Sequence, residues 1–214
     1  FLCCSRLMAV LQTGLAKSLA EDYTIDQSLR FDDGDDAYLS RTFGSATNQK
    51  TWTISFWVKR GNLGTNQSFF NPEYGGDGSQ ESNFGWDTNS KIKIIDSGAS
   101  RGQYITTATY RDVGAWYHIV ATLDTTESLA VNRFKLYVNG DEVTAFDTET
   151  DPSEDQTWGW NAAQNHWIGR REYGSGDYEL DGYLAEFYWI DGTRYTPSDF
   201  GETDTTTNQW KPID

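Results

Sequence analysis

Four aspartates crowd one short stretch, Asp32-Asp33-Gly34-Asp35-Asp36. Calcium takes about six to eight oxygen ligands, many of them carboxylates. Asp32, Asp33, Asp35 and Asp36 are therefore candidate calcium ligands, and a solvated acidic turn is the plain alternative. An EF-hand is excluded, because the twelfth position from Asp32 is Phe43 and not Glu. A second cluster, Gln156-Thr-Trp-Gly-Trp-Asn161, sets two indoles among amides and a hydroxyl. Sugars need an aromatic platform and a few polar groups that fix orientation. Trp158 and Trp160, with the loop residues Tyr173 and Tyr74, are the candidate stacking residues; the alternative is that these rings are core. The two histidines, His118 and His166, have no cysteine partners for a zinc site and no Gly-x-Ser-x-Gly elbow beside them. Nor does any glycine-rich phosphate loop occur.

The elements that must position these residues read as strands. Trp52, Ile54, Phe56 and Val58 alternate with Thr53, Ser55, Trp57 and Lys59. Phe134, Leu136 and Val138 alternate with Lys135, Tyr137 and Asn139. Tyr183, Ala185, Phe187 and Trp189 alternate with Leu184, Glu186, Tyr188 and Ile190. Alternation of this kind puts one set on each face of a sheet. Residues 116–124 are apolar on both faces, which suggests a central strand covered on both sides. Asn139-Gly140 between two such runs is a strong hairpin signal, because both residues tolerate positive φ. Other Asp-Gly pairs punctuate the chain, and helix signals are almost absent after residue 22. About twelve short strands at this spacing predict an all-β sandwich, with long loops within 61–90 and 147–164.

The chain of 214 residues suits one domain. Its 9 Trp, 12 Tyr and 11 Phe argue against long disorder. A net charge of −15 repels nucleic-acid phosphates and anionic lipid, so neither is an expected partner. Only Cys3 and Cys4 are present, so the body from residue 5 onward has no disulfide. No apolar run is long enough for a membrane span. Residues 1–22 read as an N-terminal arm, the first seven expected to be foreign to the protein. Arg6, Gln12 and Lys17 interrupt any signal-peptide core. Leu7, Leu11, Leu15 and Leu19 recur every four residues, as in a short helix; a frayed terminus and an arm that docks on a neighbouring subunit are the two readings. The domain proper is residues 23–214.

Four phrases occur in order: Trp116-Tyr-His-Ile-Val-Ala121, Lys135-Leu-Tyr-Val-Asn-Gly-Asp-Glu-Val143, His166-Trp-Ile-Gly-Arg170 and Asp181-Gly-Tyr-Leu-Ala-Glu-Phe-Tyr-Trp-Ile190. Together with Ser28-Leu-Arg-Phe31 and the run 52–58, they resemble the laminin-G-like jelly roll of the concanavalin A-like lectin/glucanase superfamily. The resemblance covers about residues 23–200. It implies a two-sheet antiparallel jelly-roll sandwich, and calcium held at a sandwich rim by Asp side chains. It assigns both histidines to strands, where a packed ring is the expected role. Asp26-Gln-Ser-Leu-Arg-Phe31, Trp57-Val-Lys-Arg-Gly61, Ile190-Asp-Gly192, Pro197-Ser-Asp-Phe-Gly201 and Trp210-Lys-Pro212 further resemble jelly-roll proteins of marine tailed phages, grouped there with virion or tail-fibre genes.

Glucanases of this superfamily carry paired carboxylates on one strand face, spaced Glu-x-Asp-x-x-Glu or Glu-x-Asp-x-Glu. Here Glu179 and Asp181 could share a face, but Glu186 lies an odd step further and falls on the other face of an unbroken strand. No catalytic residues are expected. The chain is therefore expected to be a non-catalytic surface module, on a virion or outside the cell. Other virion subunits, a cell-surface glycan and further copies of itself are the expected partners. A purely structural subunit and, last, a polysaccharide hydrolase are the alternatives. Because the chain is acidic, any sugar ligand is expected to be neutral unless calcium bridges.

Overall fold

The computed structural model describes residues 23–73, 82–96, 101–171 and 178–214. The arm 1–22, Tyr74 and Tyr173 lie outside the described residues. The alternating runs become fifteen strands: β1 (Leu29–Phe31), β2 (Leu39–Thr42), β3 (Thr51–Arg60), β4 (Gln67–Pro72), β5 (Asn83–Trp86), β6 (Ile92–Asp96), β7 (Gly102–Thr106), β8 (Trp116–Asp124), β9 (Phe134–Val138), β10 (Asp141–Glu142), β11 (Phe146–Thr150), β12 (Asn165–Ile168), β13 (Gly182–Asp191), β14 (Gly201–Thr203) and β15 (Trp210–Pro212). One sheet runs β1-β13-β3-β8-β9-β10 and faces a second, β11-β7-β6-β5-β4-β12-β2; β14 and β15 form a separate ribbon. The described helix is two three-residue 3-10 turns. The expected all-β, two-sheet antiparallel sandwich is the fold.

Between the sheets the first contributes Trp52, Ile54, Phe56 and Val58 from β3, and Ile119, Ala121 and Leu123 from β8. The second contributes Phe69, Phe84, Trp86, Ile92, Ile94 and Tyr104. The outer face of the first sheet is buried as well, at Thr53, Ser55, Trp57, His118, Val120 and Thr122. The C-terminal segment covers it. Arg194 Nε donates to Thr122 Oγ1 at 3.1 Å, Tyr195 N to Thr53 Oγ1 at 2.9 Å, and Trp210 Nε1 to His118 Nδ1 at 2.9 Å. The double-sided burial expected of β8 follows from this cover.

Asn139 and Gly140 form the β9–β10 turn at φ 52° and 85°. A Cβ on Gly140 would meet Trp210 Cε3 at 2.5 Å, so glycine serves both the turn and the packing of the C-terminal cover.

The alternation expected along β13 holds for only half its length. Ala185 pairs with Trp57 but Tyr188 pairs with Ser55, so three steps on β13 match two on β3. This is a β-bulge, with Glu186 at φ 47°. One extra residue reverses the parity of everything beyond it. Tyr183 and Ala185 lie on the outer face with their partners Lys59 and Trp57, whereas Phe187 and Trp189 pack against the inter-sheet core. On the other side, β1 covers only residues 182–184 of β13. Beyond that point the sandwich has an open flank, where the second half of β13 faces β12 and the edge strand β2.

Candidate functional site

The expected aromatic platform is core. Trp158 and Trp160 are 0% and 1% exposed. Trp158 stacks on Phe134 with centroids 6.2 Å apart, and both indoles pack on Trp52 at 5.9 and 5.7 Å. Backbone ties draw the loop inward: Trp158 N donates to Gln49 O at 3.0 Å, and Gln49 Nε2 returns a bond to Trp158 O at 2.7 Å. Gly159 N reaches both oxygens of the buried Asp96 carboxylate at 3.1 and 3.2 Å. Burial pushes the Asp96 carboxyl up to about 6, against the hydrogen bonds from Ser82 and Gly159. With both indoles enclosed, neither presents a ring face to a sugar.

The acidic turn does not gather its carboxylates. Asp32 Oδ1 accepts from Gly34 N at 3.1 Å and Oδ2 from Arg30 Nη2 at 2.8 Å. Asp33 Oδ2 accepts from Asn62 Nδ2 at 2.8 Å. Among the described residues no three His, Cys, Asp or Glu side chains are placed to hold a metal ion. As they stand, Asp32, Asp33, Asp35 and Asp36 do not fit calcium, because it needs several oxygens converging on one point.

The carboxylates considered for hydrolysis each have their own neighbours. Glu179 lies by Arg170, 4.0 Å from its Nε. Asp181 sits at the corner before β13, its carbonyl accepting from Gly61 N at 2.8 Å. Glu186 rides on the bulge, accepting from Tyr23 Oη at 2.9 Å and from Tyr188 Oη. The unbroken strand assumed from the sequence does not exist, because the bulge at Glu186 breaks the alternation on which the opposite-face reading rested.

His118 and Ser55 are buried with Nε2 and Oγ 2.9 Å apart, which by distance alone resembles a nucleophile and its base. The tautomer forbids it. An indole N–H can only donate, so Trp210 makes Nδ1 the acceptor. The proton of the neutral ring is then on Nε2, which donates to Ser55 and cannot take its proton. Burial pushes this imidazole down to about 4, keeping it neutral.

The open flank carries a cleft of about 560 Å³, lined by Phe43, Phe70, Phe187, Trp189 and His166, with Arg41, Asn161 and Asp191 among its polar groups. Asn161 organises one end. At φ 63°, a conformation Asn tolerates, it donates to Asn48 O at 2.7 Å and Asp191 Oδ1 at 3.0 Å, and accepts from Trp189 Nε1 at 2.6 Å. His166 packs on Phe43 and Phe70 at 4.6 and 5.7 Å. Its Nδ1 lies 3.1 Å from Gln164 O. A carbonyl only accepts, so Nδ1 carries the proton and Nε2 holds a lone pair. That Nε2 is buried with no hydrogen-bond partner, and burial pushes the ring down to about 4. The cleft thus combines aromatic walls with the polar groups of Arg41, Asn161 and Asp191. The sequence signalled Phe187 and Trp189 only as one face of a strand. The bulge and the short β1, which open the flank, leave no pattern in composition.

A family model described as the concanavalin A-like lectin/glucanases superfamily, the Laminin_G_3 type, matches residues 32–197. The chain belongs to this superfamily. No curated protein sequence matches it. Among solved structures, a candidate carbohydrate binding protein from Bacteroides ovatus superposes with a TM-score of 0.56 at 15% identity, covering 90% of this chain and 61% of that one. Domain 4 of the GH43 arabinanase AbnA from Geobacillus stearothermophilus gives 0.48 at 18% identity, covering 80% and 78%. Trypanosoma rangeli sialidase gives 0.48 at 14% identity, covering 71% of this chain but 22% of that one. The chain thus spans about a fifth of the sialidase and less than two thirds of the Bacteroides protein. At these identities the likeness concerns the fold, which hosts many functions. Among the described residues no helix is long and apolar enough to cross a membrane.

Proposed function

We propose that this concanavalin A-like domain is a non-catalytic surface module that recognises a glycan in the flank cleft. The observation that carries the reading is a cleft of about 560 Å³ walled by Phe43, Phe70, Phe187 and Trp189, with Arg41, Asn161 and Asp191 among its polar groups. A pyranose lying on an aromatic wall would have its hydroxyls held by the polar groups at the rim of the cleft, Arg41 and Asp191. Absence of catalysis is supported by the different partners that engage Glu179 and Glu186 and by the Nε2–H tautomer of His118. Placement on a virion or cell surface, as one copy of a homo-oligomer among other virion subunits, belongs to the same reading. It rests on likeness of sequence phrases and is tested by whether purified particles contain this chain.

The cleft is tested by screening neutral oligosaccharides on an array and titrating the best ligand calorimetrically. Arg41→Ala removes an exposed polar group from the rim of the cleft and should weaken binding about tenfold. Trp189→Ala should weaken it at least as much. Unchanged affinity in both variants refutes the cleft. Reducing-sugar release from the bound ligand refutes the non-catalytic assignment.

A further inference from the structure

The C-terminal segment does not close completely over the outer face of the first sheet. A hollow of about 220 Å³ is lined from the sheet by Ser55, Trp57 and His118 and from the cover by Phe200 and residues 212–214. Glu186 and Tyr188, at and beyond the bulge of β13, line it too. Three aromatic side chains form its apolar walls. Tyr188 is 44% exposed and stacks on Phe200 with centroids 5.9 Å apart, and Trp57 lies on the His118 ring at 4.8 Å. No residue that lines the flank cleft lines this hollow.

The charge of the hollow is all of one sign. Glu186, Asp199 and Asp214 line it, and no lysine or arginine does. His118 is neutral and supplies no counter-charge. Glu186 is held by two phenols, Tyr23 Oη at 2.9 Å and Tyr188 Oη. Asp199 accepts from Thr196 N and Oγ1 at 2.7 and 2.8 Å, both through Oδ2. Among the described residues Asp214 has no hydrogen-bond or ion-pair partner, and no cation pairs with any of the three. Their field reaches the aromatic wall. The Tyr188 phenol is pushed up to about 12, first by its hydrogen bond to Glu186, then by burial and by the charges of Glu186, Tyr23 and Asp214. Carboxylates and ring faces both attract a cation.

We infer that this hollow receives the arginine side chain of a partner protein. A compact metal ion does not fit, because among the described residues no three acidic side chains are placed to hold one. A guanidinium does fit. It is planar and weakly hydrated, it stacks on aromatic faces, and its five N–H groups can meet carboxylates that do not converge on one point. The volume is below the roughly 300 Å³ at which pockets for whole small molecules begin, and suits the end of one side chain. Free arginine would bring an α-carboxylate that the hollow has no cation to meet, whereas in a polypeptide that group is an amide. The inference does not depend on the glycan reading of the cleft, since the two sites share no residue.

The test titrates the full, isotope-labelled chain by NMR with end-capped Gly-Arg-Gly, Gly-Lys-Gly and Gly-Gln-Gly peptides and with free arginine. About 0.15 M salt screens the net charge of −15 beyond about 8 Å, so that contact decides. The capped arginine peptide should bind and shift amides around Tyr188, Phe200 and Asp214. The lysine peptide and free arginine should bind more weakly, and the glutamine peptide not at all. Asp214→Asn should weaken binding of the arginine peptide about threefold. Tyr188→Ala should weaken it about threefold, and the two together about tenfold. Arg41→Ala, in the flank cleft, should leave it unchanged. Melting temperatures check that the variants stay folded, as expected for two exposed side chains. Failure of the arginine peptide to bind, shifts elsewhere on the molecule, equal binding of any of the other three probes, or wild-type affinity in the double variant overturns the inference.

Discussion

Trp158 packs almost parallel to Phe134, and Trp160 closes on Trp52 and Trp158, so these indoles act as core side chains of the sandwich end. Removing a fully buried Trp forfeits its transfer free energy and leaves a cavity. Trp158→Ala should cost about 3–5 kcal/mol, read as a lowered urea midpoint. Trp158→Phe should cost markedly less. An alanine variant of wild-type stability would place the ring outside the core. At the same scale a single hydrogen bond decides the chemistry of His118: the donor is an indole, so the imidazole presents N–H and not a lone pair to Ser55.

At the scale of the element, the bulge in β13 shapes the flank. It lets Tyr183 and Ala185 serve the outer face while Phe187 and Trp189 serve the cleft and core. It also interrupts an edge that β1 leaves uncovered, which discourages pairing with a foreign strand. Deleting Glu186 restores strict alternation and drives one half of the strand onto the wrong face. That deletion should cost several kcal/mol, on the order of losing two buried aromatic contacts. Glu186→Gly should change stability by less than about 1 kcal/mol. It relieves the positive φ and gives up the bonds from Tyr23 and Tyr188. Equal effects of deletion and glycine, measured by thermal melting, would show that parity is not what the bulge supplies.

For the whole molecule, three buried groups set the acid response. His118 and His166 stay neutral in the fold down to about 4. An unfolded chain protonates them near 6.5. The unfolded state therefore binds more protons between these values, and stability rises with pH across the window. Each ring contributes about 3 kcal/mol of that rise. Asp96 acts oppositely: its folded value of about 6 exceeds its unfolded one, so it subtracts about 3 kcal/mol as pH rises from 4 to 6. The net rise from pH 4 to 6.5 should be about 3 kcal/mol, measurable by urea melts along the pH axis. Asp96→Asn removes the opposing contribution and should steepen the rise, whatever it does to stability at neutral pH. A slope that is flat, or that is unaltered in Asp96→Asn, would contradict these assignments.

Much of this protein was written in its sequence. Period-two patterns such as that of residues 52–59 need only local sterics and the drive to bury apolar surface, and the Asn139-Gly140 turn needs only two residues that accept positive φ. The sandwich class followed from such local rules, and the family from the resemblance of its phrases. The site did not. Whether Trp158 and Trp160 faced solvent depended on Gln49 and Asp96, more than fifty residues away in the chain. Whether Asp32 to Asp36 converged depended on Arg30 and Asn62 drawing carboxylates apart. The cleft required a bulge, a three-residue β1 and an edge strand to coincide in space. Each is a matter of long-range pairing, which local pattern leaves open and close packing of the whole chain decides.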